Sequence, residues 1–388
     1  MLAVGPAELR ELREAIHTSV AALHDGDDPR NPAPRRQERR DGWRRMAEEA
    51  SLLGLSQPVA TGGQGVSSSF TVLVAEAHGH HLVRSPFLAS QALSAPLLAF
   101  NASPEQQQRL LAPLLAGEAT ATLAGAGDGM LCLPGYGAST GGPERPVLAR
   151  GPHGPKLNGT APFVCDVSDA DLILVLATVE GTDDLTAVVV EPDADGLSVT
   201  AQETIDTTRT RARLDFDDTP GEELERVSVG GLVRALAEAS VLVAAEAVGG
   251  ARSCLDSTLG YVKMRHQFDR PIGSFQAVQH VLAELHGELE SAQACVEEAA
   301  RVLDRVPDAR ALDSRPEHDI VELVAAASLA KSIAADTFVH VARETVHLHG
   351  GIGFTWEHDA HLYYKRALAD LSLLGHPADH RRALVAGW

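Results

Sequence analysis

Apolar residues in the first 118 positions recur with the three-to-four spacing of helix faces. They mark a helix over 7–24, a second around Trp43 and Met46, a third restarting in the segment Phe70–His78, and two more between Ser94 and Leu115. The breaks are as legible as the helices: a run of Asp, Gly and Pro fills 25–34, and glycines punctuate 54–65. Ser103-Pro104-Glu105 supplies a serine N-cap and a proline at the first helical position, where a missing N–H does no harm. Near residue 119 the period changes. Asp171–Ala177, Leu185–Glu191, Leu197–Thr200 and Ala212–Phe216 are short, apolar or β-branched, and separated by Gly, Pro and Asp, which reads as strands. From about Gly231 the helical period returns, with helices over 231–266, 274–305, 319–347 and 357–373. The first three are alanine-rich and long enough for an antiparallel bundle. The pattern predicts an α+β chain in three parts: a helical domain at 1–118, a β-domain at 119–225 and a helical bundle at 226–388.

Charge narrows the partners. Lys+Arg 33 against Asp+Glu 53 leaves a formal charge of −20, which argues against nucleic acid or an anionic membrane as partner. An anionic ligand must then be met by local basic groups or by backbone N–H. Cys132, Cys165, Cys254 and Cys295 lie tens of residues apart, so neither a metal knuckle nor a disulfide framework is expected, and a reduced cytoplasmic protein fits best. The N-terminus turns charged before an apolar signal region develops, and no run of 18 apolar residues occurs.

Two stretches carry candidate chemistry. In Val346–Gly375, Gly350, Gly351 and Gly353 suit a close backbone approach to a phosphate or dinucleotide, or a plain helix C-cap and turn, and Lys365 and Arg366 follow. In Arg265–His280 a long helix ends, a Pro-Ile-Gly turn follows and a new helix begins at Ser274 with two arginines nearby, which describes either an anion site or an ordinary helix corner. Other motifs are weaker. Gly137-Ala-Ser-Thr-Gly141 lacks the strand and helix of a nucleophile elbow, and Gly125–Gly129 falls short of a dinucleotide fingerprint. His347, His349, Glu357, His358 and His361 form the densest histidine cluster without a His-Glu-x-x-His pattern, so no metal site is expected there. Asp206–Arg211 reads as an exposed hairpin end, with a CoA phosphate or a neighbouring helix as the other options.

Arg265-His-Gln-Phe-Asp-Arg-Pro-Ile-Gly-Ser-Phe-Gln276 resembles, almost residue for residue, the acyl-CoA dehydrogenase pattern Arg-x-Gln-Phe-Gly-x-Pro-Ile-x-x-Phe-Gln. Gly54-Leu, Thr61–Gly65, Ser103–Ala124 and the Gly350 turn are similar to landmarks of that family in the same order. The resemblance implies an N-terminal helical domain, a central β-barrel domain and a C-terminal four-helix bundle that mediates assembly. It also implies FAD held between two subunits. Arg265, Gln267, Phe268, Gln276, His347, Leu348, Gly350 and Gly351 would meet the pyrophosphate and adenosine side of a neighbour's flavin. Thr122 to Gly129, including Gly127, and Phe163 to Asp166, including Cys165, would lie against the chain's own isoalloxazine. The implied partners are an acyl-CoA or carrier-bound acyl thioester, an electron-transfer acceptor, and like or paralogous chains in a homo- or heterotetramer.

Departures from the family pattern bear on activity. Thr122-Leu-Ala-Gly-Ala-Gly-Asp-Gly129 lacks the acid, proline and serine usual there, Cys165 replaces a hydroxyl, and His347 stands where glutamine is usual. Leu374 occupies the position of the glutamate that removes the α-proton, and leucine cannot accept one. The alternative base position on the preceding long helix is Ala239; Glu246, two turns further along the same face, is the substitute candidate, with a helix-packing carboxylate as its plainer reading. The resemblance thus points to a subunit without its own base that works with a paralogue bearing the glutamate. The alternative is a repurposed scaffold, a non-dehydrogenase enzyme or a flavin-free structural partner.

Overall fold

The computed structural model describes residues 6–22, 28, 30, 36–48, 50–127, 145–152, 154–306 and 317–386. Asp128, Gly129, Cys132 and the Gly137–Gly141 motif lie outside the described residues. The N-terminal part is helical: α1 (Pro6–Ala21), α2 (Arg36–Glu48), α3 (Ser68–His81), a π-turn segment Phe87–Ser94 continuing into α4 (Ala95–Asn101), and the short α5 (Pro104–Gln106) and α6 (Ala112–Leu115) with a second π segment between them. The Ser103 cap is as expected and is closed into a capping box by Gln106.

Among the described residues the central part is one mixed sheet of eight strands: β1 (Ala121–Ala124), β2 (Val147–Gly151), β3 (Gly154–Cys165), β4 (Leu172–Val179), β5 (Leu185–Val190), β6 (Leu197–Gln202), β7 (Arg211–Pro220) and β8 (Glu222–Glu223). The strand order is β6-β7-β3-β2-β4-β5-β8, with β1 parallel to β4. β4 is a continuous apolar run because both its faces are covered. Leu172, Leu174 and Leu176 join the core shared with the helices, while Ile173, Val175 and Ala177 join a second core with Leu148, Leu157, Leu214 and Phe216 inside the curled sheet.

The C-terminal part is a bundle of α7 (Val229–Met264), α8 (Gln276–Arg305), α9 (Glu317–His349) and α10 (Ala360–Asp370), followed by α11 (Pro377–Ala386), which the sequence pattern did not predict. A two-residue hairpin, β9 (His266–Gln267) with β10 (Arg270–Pro271), joins α7 to α8. Ser274 is not the cap of α8: the helix begins at Gln276 after Phe275, and Ser274 Oγ instead donates to the Pro271 carbonyl at 2.7 Å. Two glycines let α3 and α7 meet backbone to backbone: a Cβ on Gly79 would lie 1.9 Å from the Glu246 carbonyl oxygen, and one on Gly249 1.9 Å from that of Glu76. Among the described residues no helix is long and apolar enough to cross a membrane.

Candidate active site

A cavity of about 490 Å³ opens where the sheet meets the end of α10. That volume lies in the range of small-molecule sites, roughly 300–1,000 Å³. One wall is the turn after β1, Gly125–Gly127. Gly125 adopts φ +77°, and a Cβ there would meet the Leu176 carbonyl oxygen at 2.3 Å, so only glycine holds this turn. The second wall is β3 from Thr160 to Cys165. Phe163 sits at φ +59°, is 61% exposed as a residue and has its N–H bound by Gln202 at 3.0 Å, while the Cys165 thiol is buried and pushed up by that burial. The third wall is the C-terminal turn of α10 and its continuation, where Leu368, Leu373 and Leu374 face the space.

Gly127, Phe163 and Cys165 thus line the cavity, and Thr122 does not. The Thr122 side chain is fully buried, and its hydroxyl donates to the Cys165 carbonyl at 2.5 Å, clamping β1 against β3. Among the described residues the cations that line it are Arg145 and Arg211. No aspartate or glutamate among the described residues lines the cavity.

Leu374 is 1% exposed and holds φ +59°, an uncommon backbone for leucine. It is kept there from outside. His380 Nε2 lies 3.0 Å from the Leu374 carbonyl, and the buried Lys331 ammonium donates to the Asp370 and Leu371 carbonyls at 3.3 and 3.5 Å, at the negative end of α10. Burial first, and the neighbouring Lys331 cation next, lower His380 to about 4. The unfolded imidazole takes its proton below 6.5 and the folded one only near 4, so this residue's contribution is lost as pH falls through that window. Relative to His380→Gln, whose amide can still donate to Leu374, the natural chain should lose up to roughly 3 kcal/mol on going from about pH 7 to about pH 4. Urea unfolding of both proteins at the two pH values measures it; equal losses would refute the assignment.

Glu246 does not reach the cavity. It accepts from Arg209 Nη2 at 2.6 Å and from Arg366 Nη1, and it belongs to a buried group completed by Asp206, Thr208 and Asp370. Its carboxylate is spent on Arg209 and Arg366 inside the core and is absent from the cavity wall, so the structure places Glu246 as a packing residue. The same group corrects Asp206–Arg211: Asp206, Thr208 and Arg209 are buried against α7 and α10, not exposed at a hairpin end. Arg366 likewise points into the core, whereas Lys365 lies 4.4 Å over the Trp356 ring. Ala239 is fully buried, and Glu238 is tied to Arg234, Ser56 and Gln57.

The other candidate residues gather on a separate face, at the shared end of α7 and α9. Arg265, Gln267, Gln276 and His347 are exposed, and Phe268 projects, 87% exposed as a residue, at φ +54°. Tyr261 stacks on His349 at 4.4 Å and donates to its carbonyl at 3.3 Å, which ties the last turn of α7 to the end of α9 just before Gly350. A Cβ on Gly350 or Gly351 would meet nothing within 4 Å, so both backbones face open space. None of Arg265, Gln267, Phe268, Gln276, His347, Leu348, Gly350 or Gly351 lines the cavity. The 11 residues of α10, roughly 16 Å of helix, run between the Gly350 turn and the cavity wall.

Residues 7–118 match the family model described as acyl-CoA dehydrogenase, N-terminal domain, and residues 232–386 match that of the C-terminal domain. Acyl-CoA dehydrogenase IpdE2 of Mycobacterium tuberculosis is 32% identical over 98% of this chain and 96% of its own length. Among solved structures, a chain of the ChsE4–ChsE5 complex from Mycobacterium tuberculosis is 25% identical, covers 97% of this chain and 96% of its own, and superposes with a TM-score of 0.78. A chain of the Tcur3481–Tcur3483 steroid ACAD is 26% identical over 98% of this chain and 97% of its own, with a TM-score of 0.77.

Proposed function

The chain belongs to the acyl-CoA dehydrogenase family, and from that premise we propose that it is the baseless subunit of a heteromeric FAD-dependent acyl-thioester dehydrogenase, acting with a paralogue that carries the carboxylate. The observation that carries this reading is the wall made by Leu374: the cavity has apolar sides and two arginines, and no carboxylate among the described residues. Removing the α-proton of an acyl thioester needs an acceptor within hydrogen-bond reach, and the described residues of the cavity wall include no carboxylate or imidazole.

Members of this family bind FAD. When bound, FAD supplies the acceptor for the β-hydride. The exposed face at the end of α7 and α9 suits an incoming dinucleotide: Gly350 and Gly351 leave room for backbone N–H to approach phosphate, and Arg265, Gln267 and Gln276 are exposed. Because that face shares no residue with the chain's own cavity, its role is to complete a site on a neighbouring subunit. Phe268, 87% exposed, would find cover there. Gly127, Phe163 and Cys165 would face a flavin in the chain's own cavity. The two-chain assemblies named for the ChsE4–ChsE5 and Tcur3481–Tcur3483 structures support a paralogous partner. An electron-transfer protein would take up the electrons, in the cytoplasm, and the domain boundaries are placed at 118/119 and 225/226.

One observation favours a second reading, a flavin-free structural partner. The Thr122 hydroxyl is bound to the Cys165 carbonyl, and a thiol stands at Cys165, so the inner wall offers a flavin ring few donors. Co-expression with the paralogue, followed by counting flavin per chain and assaying acyl-CoA-dependent reduction of an electron acceptor, separates the readings. Flavin and turnover in the complex but no turnover in the chain alone are expected. Full turnover by the chain purified alone would overturn the proposal, and a complex without flavin would favour the scaffold.

A further inference from the structure

We infer that His17, His80 and His81 form a binding site for one first-row divalent cation of nitrogen preference, Zn²⁺ foremost, which staples α1 to α3. The three imidazoles offer one nitrogen each, all within 4.8 Å of one another. His17 comes from α1, and His80 and His81 close the C-terminal turn of α3. His17 Nδ1 lies 3.3 Å from His81 Nε2. Two nitrogens each about 2.0–2.1 Å from a tetrahedral zinc stand roughly 3.3–3.4 Å apart, so this pair already has the edge length of such a site. The third nitrogen has to close by about 1.5 Å, a side-chain rotation for half-buried rings.

The surroundings suit a cation. The last turn of α3 presents the negative end of its dipole. His17, His80 and His81 are all half-buried, with the guanidiniums of Arg13 and Arg252 nearby. The two guanidiniums close to them are themselves paired, Arg13 with Glu76 at 3.0 Å and Arg252 with Glu290 at 3.0 Å. His80 Nδ1 is buried and has no hydrogen-bond partner among the described residues. The His80 backbone is anchored by the Tyr363 hydroxyl, which donates to its carbonyl at 2.6 Å and fixes the ring's origin. The staple also has a purpose: among the described side chains of α1 only Ile16 and Val20 are fully buried apolar anchors, with Leu12 partly buried, while Leu9 is 41% exposed. Zinc, nickel and copper favour such an all-imidazole set over magnesium or calcium. This site is independent of the flavin reading.

The test uses the full chain stripped with EDTA and titrated with ZnCl₂ in the presence of a chromogenic chelator, alongside thermal unfolding. One ion per chain with a dissociation constant on the order of 1 μM or tighter is expected, together with a zinc-dependent rise in Tm. His17→Gln and His81→Gln should each weaken binding by at least about tenfold and remove the rise, whereas His286→Gln, on an exposed position of α8, should change neither. No saturable binding in the natural chain, or binding that survives the double variant His17→Gln/His81→Gln, overturns the proposal. If a variant does not fold, Co²⁺ bound to the natural chain decides: a d–d band of tetrahedral intensity supports the site and an octahedral one overturns it.

Discussion

Arg366→Met is expected to destabilise the chain by about 3–5 kcal/mol, a large share of the roughly 5–15 kcal/mol that holds a typical domain folded. Arg366 is 2% exposed and is bound on every edge of its guanidinium: Nε meets Asp206 at 3.1 Å and the Thr208 hydroxyl at 2.8 Å, Nη1 meets Glu246, and Nη2 meets the Thr208 carbonyl at 2.9 Å. Three buried carboxylates, Asp206, Glu246 and Asp370, then depend on Arg366 and Arg209. Burial drives the Asp370 carboxyl up despite both guanidiniums, and the same burial would raise Asp206 were Arg366 and Thr208 not holding it below the usual range. Methionine fills the volume of the stem but leaves two of these acids without their nearest cation. Arg366→Lys should recover little, because one ammonium cannot serve acceptors spread around a planar fork. Urea unfolding measures the loss; a change under about 1 kcal/mol would show that the group tolerates an unpaired carboxylate.

In the proposed complex with a paralogue, replacing the base that subunit would carry by glutamine should lower turnover by about 10²–10⁴-fold, the range a positioned general base contributes, with flavin content unchanged. Glutamine keeps the size and the hydrogen-bonding of glutamate while losing its capacity to take a proton, so the readout isolates the acid–base step. The prediction depends on this chain adding no second base. Leu374 faces its cavity, Glu246 is held by Arg209 and Arg366, and Glu238 is held by Arg234 at 2.6 Å. Residual turnover above about a tenth of the original would mean that a proton acceptor in this chain does take part.

The helical, β and helical succession was readable because burial imposes a period on the chain, and β4 betrayed its two covered faces by being apolar at every position from Leu172 to Ala177. The Ser103 cap was readable because a capping box spans only four residues. Asp206, Arg209, Arg366 and Asp370 were not. A hairpin end and a basic pair behind a glycine turn look solvated until α7 and α10 close over them, since ion pairs between residues some 160 positions apart leave no local pattern. The three histidines of α1 and α3 have the same character, with His17 and His81 separated by 64 positions.

By itself the sequence determined the element types, the order of the three parts, and the absence of a proton acceptor at position 374, because each depends on side-chain chemistry and short-range periodicity. Only the tertiary structure decided that Leu374 faces a cavity, that Glu246 is paired with Arg209 and Arg366 in the core, and that the Arg265 and Gly350 residues stand on a different face from Gly127 and Phe163. These are matters of which distant segments share a volume, and in a packed core that is settled by shape and by the pairing of buried charge, neither of which a linear chain displays.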